Sequence, residues 1–202
     1  MSFDPKTVLD FWFKESSPED WFQKSEEYDQ KIKERFEPLI DELSTTPNQE
    51  LLSSPEKALA SVIVLDQFPR NIYRDSAKSY AYDSKALKLV DQAIAQHLDQ
   101  KLPEVQRRFL YMPFMHSEDV TVHNQAVKLF SSLKNKVSLK YEYHHKYQID
   151  RFGRYPHRNN ALGRESTREE KRFLEKGDGL RGLVVSLVIF LKVFKAKLNQ
   201  FF

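Results

Sequence analysis

No glycine occurs before Gly153, and the 202-residue chain has five in all. Glycine supplies the backbone freedom that lets a loop close around a phosphate. No such loop can lie in the first three quarters of the chain, which disfavours most nucleotide-binding α/β folds. Proline punctuates the chain instead. Asp4-Pro5, Ser17-Pro18 and Ser54-Pro55 each set a capping side chain before a residue whose fixed φ and missing N–H suit a first helical turn. Three helix starts are predicted there.

Between these marks the apolar residues recur at helical spacing. Ile32, Phe36, Leu39, Ile40 and Leu43 line one face after Tyr28, with Pro38 as a kink point. Ala58, Leu59, Val62, Ile63 and Leu65 continue from Pro55. The β-branched run 62–64 also fits a buried strand, but the cap and the proline decide for helix. Ala86, Leu87, Val90, Ile94 and Leu98 form the next face, and Pro103 opens a helix through Val105, Phe109 and Leu110 that Pro113 ends. Ser117 is read as the cap of another, with Glu118 and Asp119 as its acidic first turn and Val122, Ala126, Val127, Phe130 and Leu133 as its stripe. Leu139, Tyr143, Tyr147 and Ile149 carry the pattern to Gly153, a left-handed cap. Ser166 and Glu169 match a capping box before Phe173 and Leu174, with Gly177 as the stop. The fold class is therefore all-α, about eight antiparallel helices in a single domain.

Forty per cent hydrophobic and 30% charged residues describe a soluble globular chain of one-domain length. The absence of cysteine excludes disulfides, thiolate nucleophiles and iron–sulfur clusters, and suits the cytoplasm. The first ten residues lack the apolar core of a secretory signal. From Leu183 to Leu191 only Ser186 interrupts an apolar run, and Lys192, Lys195 and Lys197 follow. That run is too short to cross a bilayer. Residues 179–202 are read as a tail that docks on the domain or a partner, with peripheral contact of 183–202 to a membrane surface as the alternative.

The net charge of +3 hides a division: residues 1–100 hold 12 Lys/Arg against 19 Asp/Glu, and residues 101–202 hold 20 against 10. Such asymmetry favours an electropositive face for anions, or mutual neutralisation where the halves pack. The segment from His144 to Arg164 is the most basic, with Lys146, Arg151, Arg154, Arg158 and Arg164 beside a single acid, Asp150, and with His145 and His157. Guanidinium groups bind phosphate and carboxylate in two-pronged fashion. In Asp66-Gln67-Phe68-Pro69-Arg70-Asn71, Pro69 stops a helix, Arg70 can pair with Asp66 and Asn71 can tie the turn. In Pro113-Phe114-Met115-His116-Ser117-Glu118-Asp119, a histidine beside two carboxylates suits acid–base work as well as ordinary capping. Asp119 and His123 share a helical face, but one such pair makes no metal site, so no metal and no cofactor is expected. Gly177-Asp178-Gly179-Leu180-Arg181-Gly182 spells the dinucleotide fingerprint without a preceding strand, and is read as coincidence.

Several of these segments, with others, carry a resemblance. Val8-Leu9-Asp10-Phe11-Trp12-Phe13, Trp21-Phe22, the run from Leu65 to Arg74, the run from Tyr111 to Asp119, Arg151 to Asn159, Leu162-Gly163-Arg164, Ser166-Thr167, Glu169-Glu170 and Phe173-Leu174 occur in this order. Over about residues 3–178 the chain resembles the bacterial domain-of-unknown-function family numbered 924, of the tetratricopeptide-like helical superfamily. The resemblance implies an all-α superhelical array and brings no established activity. His116, Glu118, Asp119, Arg154, His157, Arg158 and Arg164 match the family pattern, whereas His123, His144 and the tail do not.

The expectation is a helical scaffold that gathers Arg70, Asn71, His116, Glu118, Arg154, His157, Arg158 and Arg164 into one polar pocket for an anionic small molecule or acidic peptide. One alternative is a hydrolase or transferase using His116 or His157 as acid–base with Glu118 or Asp119 as partner. The other is a protein or RNA adaptor, although no nucleic-acid recognition module is present.

Overall fold

The computed structural model describes residues 3–176. The fingerprint at 177–182, the Gly177 stop and the tail lie outside the described residues. Two of the three cap–proline pairs start helices. The Asp4 side chain accepts the Lys6 N–H at the head of α1 (Pro5–Asp10), and the Ser54 hydroxyl accepts the Lys57 N–H at the head of α4 (Pro55–Val62). Ser17-Pro18 opens only a turn. There the Asp20 carboxylate accepts the Ser17 N–H, so the local side chain holds the backbone in a turn that no helix continues.

α1 runs on through a wide π turn, Phe11–Glu15, that buries Phe11 and Trp12 together. α2 (Glu26–Thr45) begins at Ser25 and buries Tyr28, Ile32, Phe36, Ile40 and Leu43. It continues past Pro38 because that residue lies on the exposed face, leaving the Glu34 carbonyl it cannot bond on the solvent side. After the single turn α3 (Asn48–Leu51), α4 leads into a second π turn, Ile63–Gln67, and then α5 (Phe68–Ile72). Every residue from 58 to 69 on this path is buried. A helix enclosed on all sides loses its amphipathic signature, which is why 62–64 also read as a strand. Phe68 stacks on Phe36 with ring centres 4.8 Å apart and lies 5.7 Å from Trp12, which ties the first two helices to this central one.

α6 (Asp83–Ala95), α7 (Glu104–Leu110) and α8 (Met112–Met115) pack around the central helix, and α9 (Val120–Ser132) and α10 (Val137–Phe152) close the far side. Pro113 sits in the first turn of α8 instead of ending a helix. The cap of α9 is Asp119, which accepts the Thr121 N–H; Ser117 and Glu118 precede the helix, since a carboxylate already occupies the capping position. On α10 the expected stripe is misplaced. Tyr143 and Tyr147 are exposed, and the face turned inward is polar, with Ser138, Glu142, His145 and Gln148 beside Ile149. α11 (Arg168–Glu175) begins with a capping box one residue later than read, Thr167 with Glu170, because the Arg154 guanidinium holds the Glu170 carboxylate at that end. The described residues contain no strand, and the fold is an all-α single domain around one core.

Gly153 ends α10 with φ +67°, and a Cβ built there meets nothing within 4 Å. Gly153→Ala therefore tests conformation alone. A loss of about 1 kcal/mol is expected from the left-handed backbone, read from the urea midpoint at constant m-value. A larger loss would mean a steric role.

Candidate functional site

The buried end of the central helix carries the first functional group. Asp66, in the second π turn, has no exposed side-chain surface, and its carboxylate accepts from His116 Nδ1 at 2.8 and 3.0 Å and from the Gln67 side-chain amide. Arg70, one helical turn on, lies 3.2 Å from the same carboxylate through Nη1. Its Nη2 donates to Asp83 Oδ2 at 2.8 Å, on the first residue of α6. Arg158, from the 3₁₀ turn Pro156–Arg158, reaches that same oxygen at 3.3 Å and donates to the His116 carbonyl at 2.9 Å. Its guanidinium carbon is 4.5 Å from the Tyr80 ring centre and 4.6 Å from that of Tyr155. The two flat faces support a cation whose side chain is only 6% exposed.

These groups open into a cleft of about 430 Å³, whose walls also include Lys24, Arg74, His145 and His157. Arg74 is held by Asp29, which also accepts the Asn71 amide at 2.8 Å. His145 Nδ1 donates to the Tyr141 carbonyl at 2.8 Å, and its ring centre lies 6.5 Å from that of His116. Burial and the nearby Arg70 guanidinium push His116 below the usual histidine range, outweighing the attraction of Asp66. Burial holds His145 well below that range. Burial, with the Arg158 charge, lowers His157 to about 3. All three imidazoles are neutral at pH 7. Burial favours the protonated form of Asp66, but Arg70 and His116 prevail and its pKa is lowered to about 2, so the carboxylate is ionised. An ionised Asp66 only accepts, which places the His116 proton on Nδ1 and the lone pair on Nε2. That is the arrangement of a histidine prepared to take a proton. Among the described residues no group of three or more His, Asp or Glu side chains is placed to hold a metal ion.

Arg70, His116, His157 and Arg158 thus share one cleft. Asn71 sits behind it on Asp29. Glu118, Arg154 and Arg164 do not line it: Arg164 grips Glu118 at 2.7 and 3.0 Å, and Arg154 grips the buried Glu170 at 2.7 and 3.0 Å. Glu118 also accepts the Tyr155 N–H at 2.8 Å, so this pair braces the loop that carries His157 and Arg158. Asp119 caps α9, and His123 bonds Glu142, so the two do not meet as ligands. Sequence reading treated Asp66 only as a partner for Arg70 and missed Asp83, Tyr80, Arg74, Lys24 and the part played by His145. A signal for His145 exists in the inward spacing 138, 142, 145 and 149, masked because its members are mostly polar.

Fold and cleft together define an all-α protein that brings guanidinium and imidazole groups from distant segments to the end of a buried helix. The chain belongs to the family described as bacterial protein of unknown function (DUF924), which matches residues 8–178. Its structure is similar to that of the protein of unknown function ATU0120 from Agrobacterium tumefaciens, with 37% identity and a TM-score of 0.81, covering 86% of this chain and 97% of that one. No curated protein matches the chain.

Proposed function

We propose that the cleft binds a small anion, a phosphate ester or a carboxylate, including that of an acidic peptide, on the guanidinium groups of Arg70 and Arg158. The observation that carries this reading is the excess of cationic side chains in the lining of the cleft. Lys24, Arg70, Arg74 and Arg158 line it beside one carboxylate, Asp75, and the two guanidiniums of Arg70 and Arg158 share a single Asp83 oxygen. Cations that converge on one cleft attract an anion, and guanidinium groups bind phosphate or carboxylate in two-pronged fashion. The cleft volume suits a small molecule. A tetratricopeptide-like arrangement of the helices and a cytoplasmic, bacterial setting go with this reading. Among the described residues no helix is long and apolar enough to cross a membrane.

Titration calorimetry with methyl phosphate and acetate tests the proposal. Arg158→Lys keeps the charge and loses the fork, so at least about tenfold weaker binding is expected. Arg154→Lys, outside the cleft, should leave affinity unchanged. Equal affinity in wild type and Arg158→Lys would sink the proposal.

The Asp66–His116 hydrogen bond favours a second reading, a hydrolase or transferase in which His116 Nε2 takes the proton from an attacking hydroxyl or water while the arginines stabilise developing negative charge. Loss of turnover in His116→Asn with ligand affinity retained would distinguish it from binding alone. The adaptor reading has less support, since Arg151, Arg154 and Arg164 are each engaged by an acid, Glu169, Glu170 and Glu118.

A further inference from the structure

Two of the three histidines that line the cleft, His116 and His145, offer a hydrogen-bonding character opposite to that of its arginines. His116 Nδ1 meets the Asp66 carboxylate and His145 Nδ1 meets the Tyr141 carbonyl, and neither partner has a proton to give. Each ring proton is therefore on Nδ1. In a neutral imidazole the lone pair is then on Nε2, at both rings. Both side chains line the cleft, with ring centres 6.5 Å apart. Arg158 donates to the backbone carbonyl of His116 itself, so cationic donors and imidazole acceptors lie side by side.

A bare anion meets this cleft badly on one side. Its oxygens pair with Arg70 and Arg158 but face Nε2 lone pairs, acceptor against acceptor. A ligand that carries its own O–H groups next to the anion satisfies both walls at once. Resting on the anion-binding reading above, we propose that the cleft selects phosphate esters bearing free hydroxyl groups, of the polyol or sugar phosphate class, with His116 and His145 accepting from the hydroxyls while Arg70 and Arg158 hold the phosphate.

Glycerol 3-phosphate and propyl phosphate share chain length and charge and differ only in two hydroxyls, which makes them the probes. Calorimetry at pH 8 keeps both phosphates dianionic, so neither phosphate adds a donor. Glycerol 3-phosphate is expected to bind wild type about tenfold or more tightly than propyl phosphate. Asn places its amide nitrogen close to where histidine Nδ1 lies and removes Nε2. His145→Asn and His116→Asn should therefore lower glycerol 3-phosphate affinity towards that of propyl phosphate, with propyl phosphate binding no weaker than in wild type and thermal melts confirming the fold. Equal affinity of the two probes for wild type overturns the hydroxyl selection and leaves the anion site standing. A preference that survives in the double variant overturns it as well. Failure of both probes to bind wild type overturns the anion site and the selection together.

Discussion

Asp66→Ala is expected to lower the free energy of unfolding by about 3–5 kcal/mol, among the largest effects of any polar substitution in this chain. The carboxylate has no exposed surface, faces Arg70 and accepts from His116 and Gln67. Removing it leaves a mostly buried guanidinium with only Asp83 for compensation, and an imidazole N–H with no acceptor. Asp66→Asn separates charge from shape, because its oxygen still accepts from His116. The distinguishing measurement is stability against pH. A carboxyl with a folded pKa of about 2 and a higher unfolded value contributes stability that is fully present above the unfolded pKa and is lost as pH falls through the folded one. In a His116→Asn background, which removes the imidazole that titrates with Asp66, the chain that keeps Asp66 should therefore lose more stability than Asp66→Asn between pH 5 and pH 2. Glu170, also lowered to about 2, titrates in both proteins and cancels in the comparison. Parallel pH curves for the two proteins would rule out an ionised Asp66.

The second large effect lies between α9 and α10. His123 and Glu142 are both fully buried, 2.7 Å apart through Nδ1. His123 Nε2 faces the Ser117 carbonyl at 2.9 Å and so carries a proton. Burial raises Glu142 above the usual carboxylate range, against the pull of His123. Glu142→Ala strips His123 Nδ1 of its partner and opens a cavity, for an expected loss of about 3–5 kcal/mol by urea unfolding. Glutamine keeps the shape and can still hydrogen-bond Nδ1 through its side-chain amide, so Glu142→Gln should be clearly less damaging than alanine. Glutamine as damaging as alanine would show that the pair depends on the carboxyl charge and not on the hydrogen bond to Nδ1.

That pair also marks the limit of reading this chain from its residues. The inward face of α10 keeps helical spacing but is built from Ser138, Glu142, His145 and Gln148, so a search for apolar stripes settled on Tyr143 and Tyr147, which face solvent. The central helix failed in the other sense, for burial on every side from 58 to 69 erases periodicity altogether. The caps at Asp4 and Ser54 and the left-handed Gly153 were legible because each acts on its own backbone within a few residues. Arg70, His116, His157 and Arg158 were legible as candidates by side-chain chemistry, in motifs that also pointed to Glu118, Arg154 and Arg164.

Local chemistry thus determined the helical class, most helix ends and which residue types were available for a site, because capping, proline geometry and helical periodicity operate over one or two turns. Tertiary structure alone decided which arginines open into the cleft and which brace its loops. That choice depends on whether a carboxylate far away in sequence arrives to take both guanidinium prongs, as Glu118 does for Arg164 and Glu170 for Arg154, or is shared, as Asp83 is between Arg70 and Arg158. No short-range pattern encodes such pairings, since they form only when the packed helices bring the partners within hydrogen-bond reach.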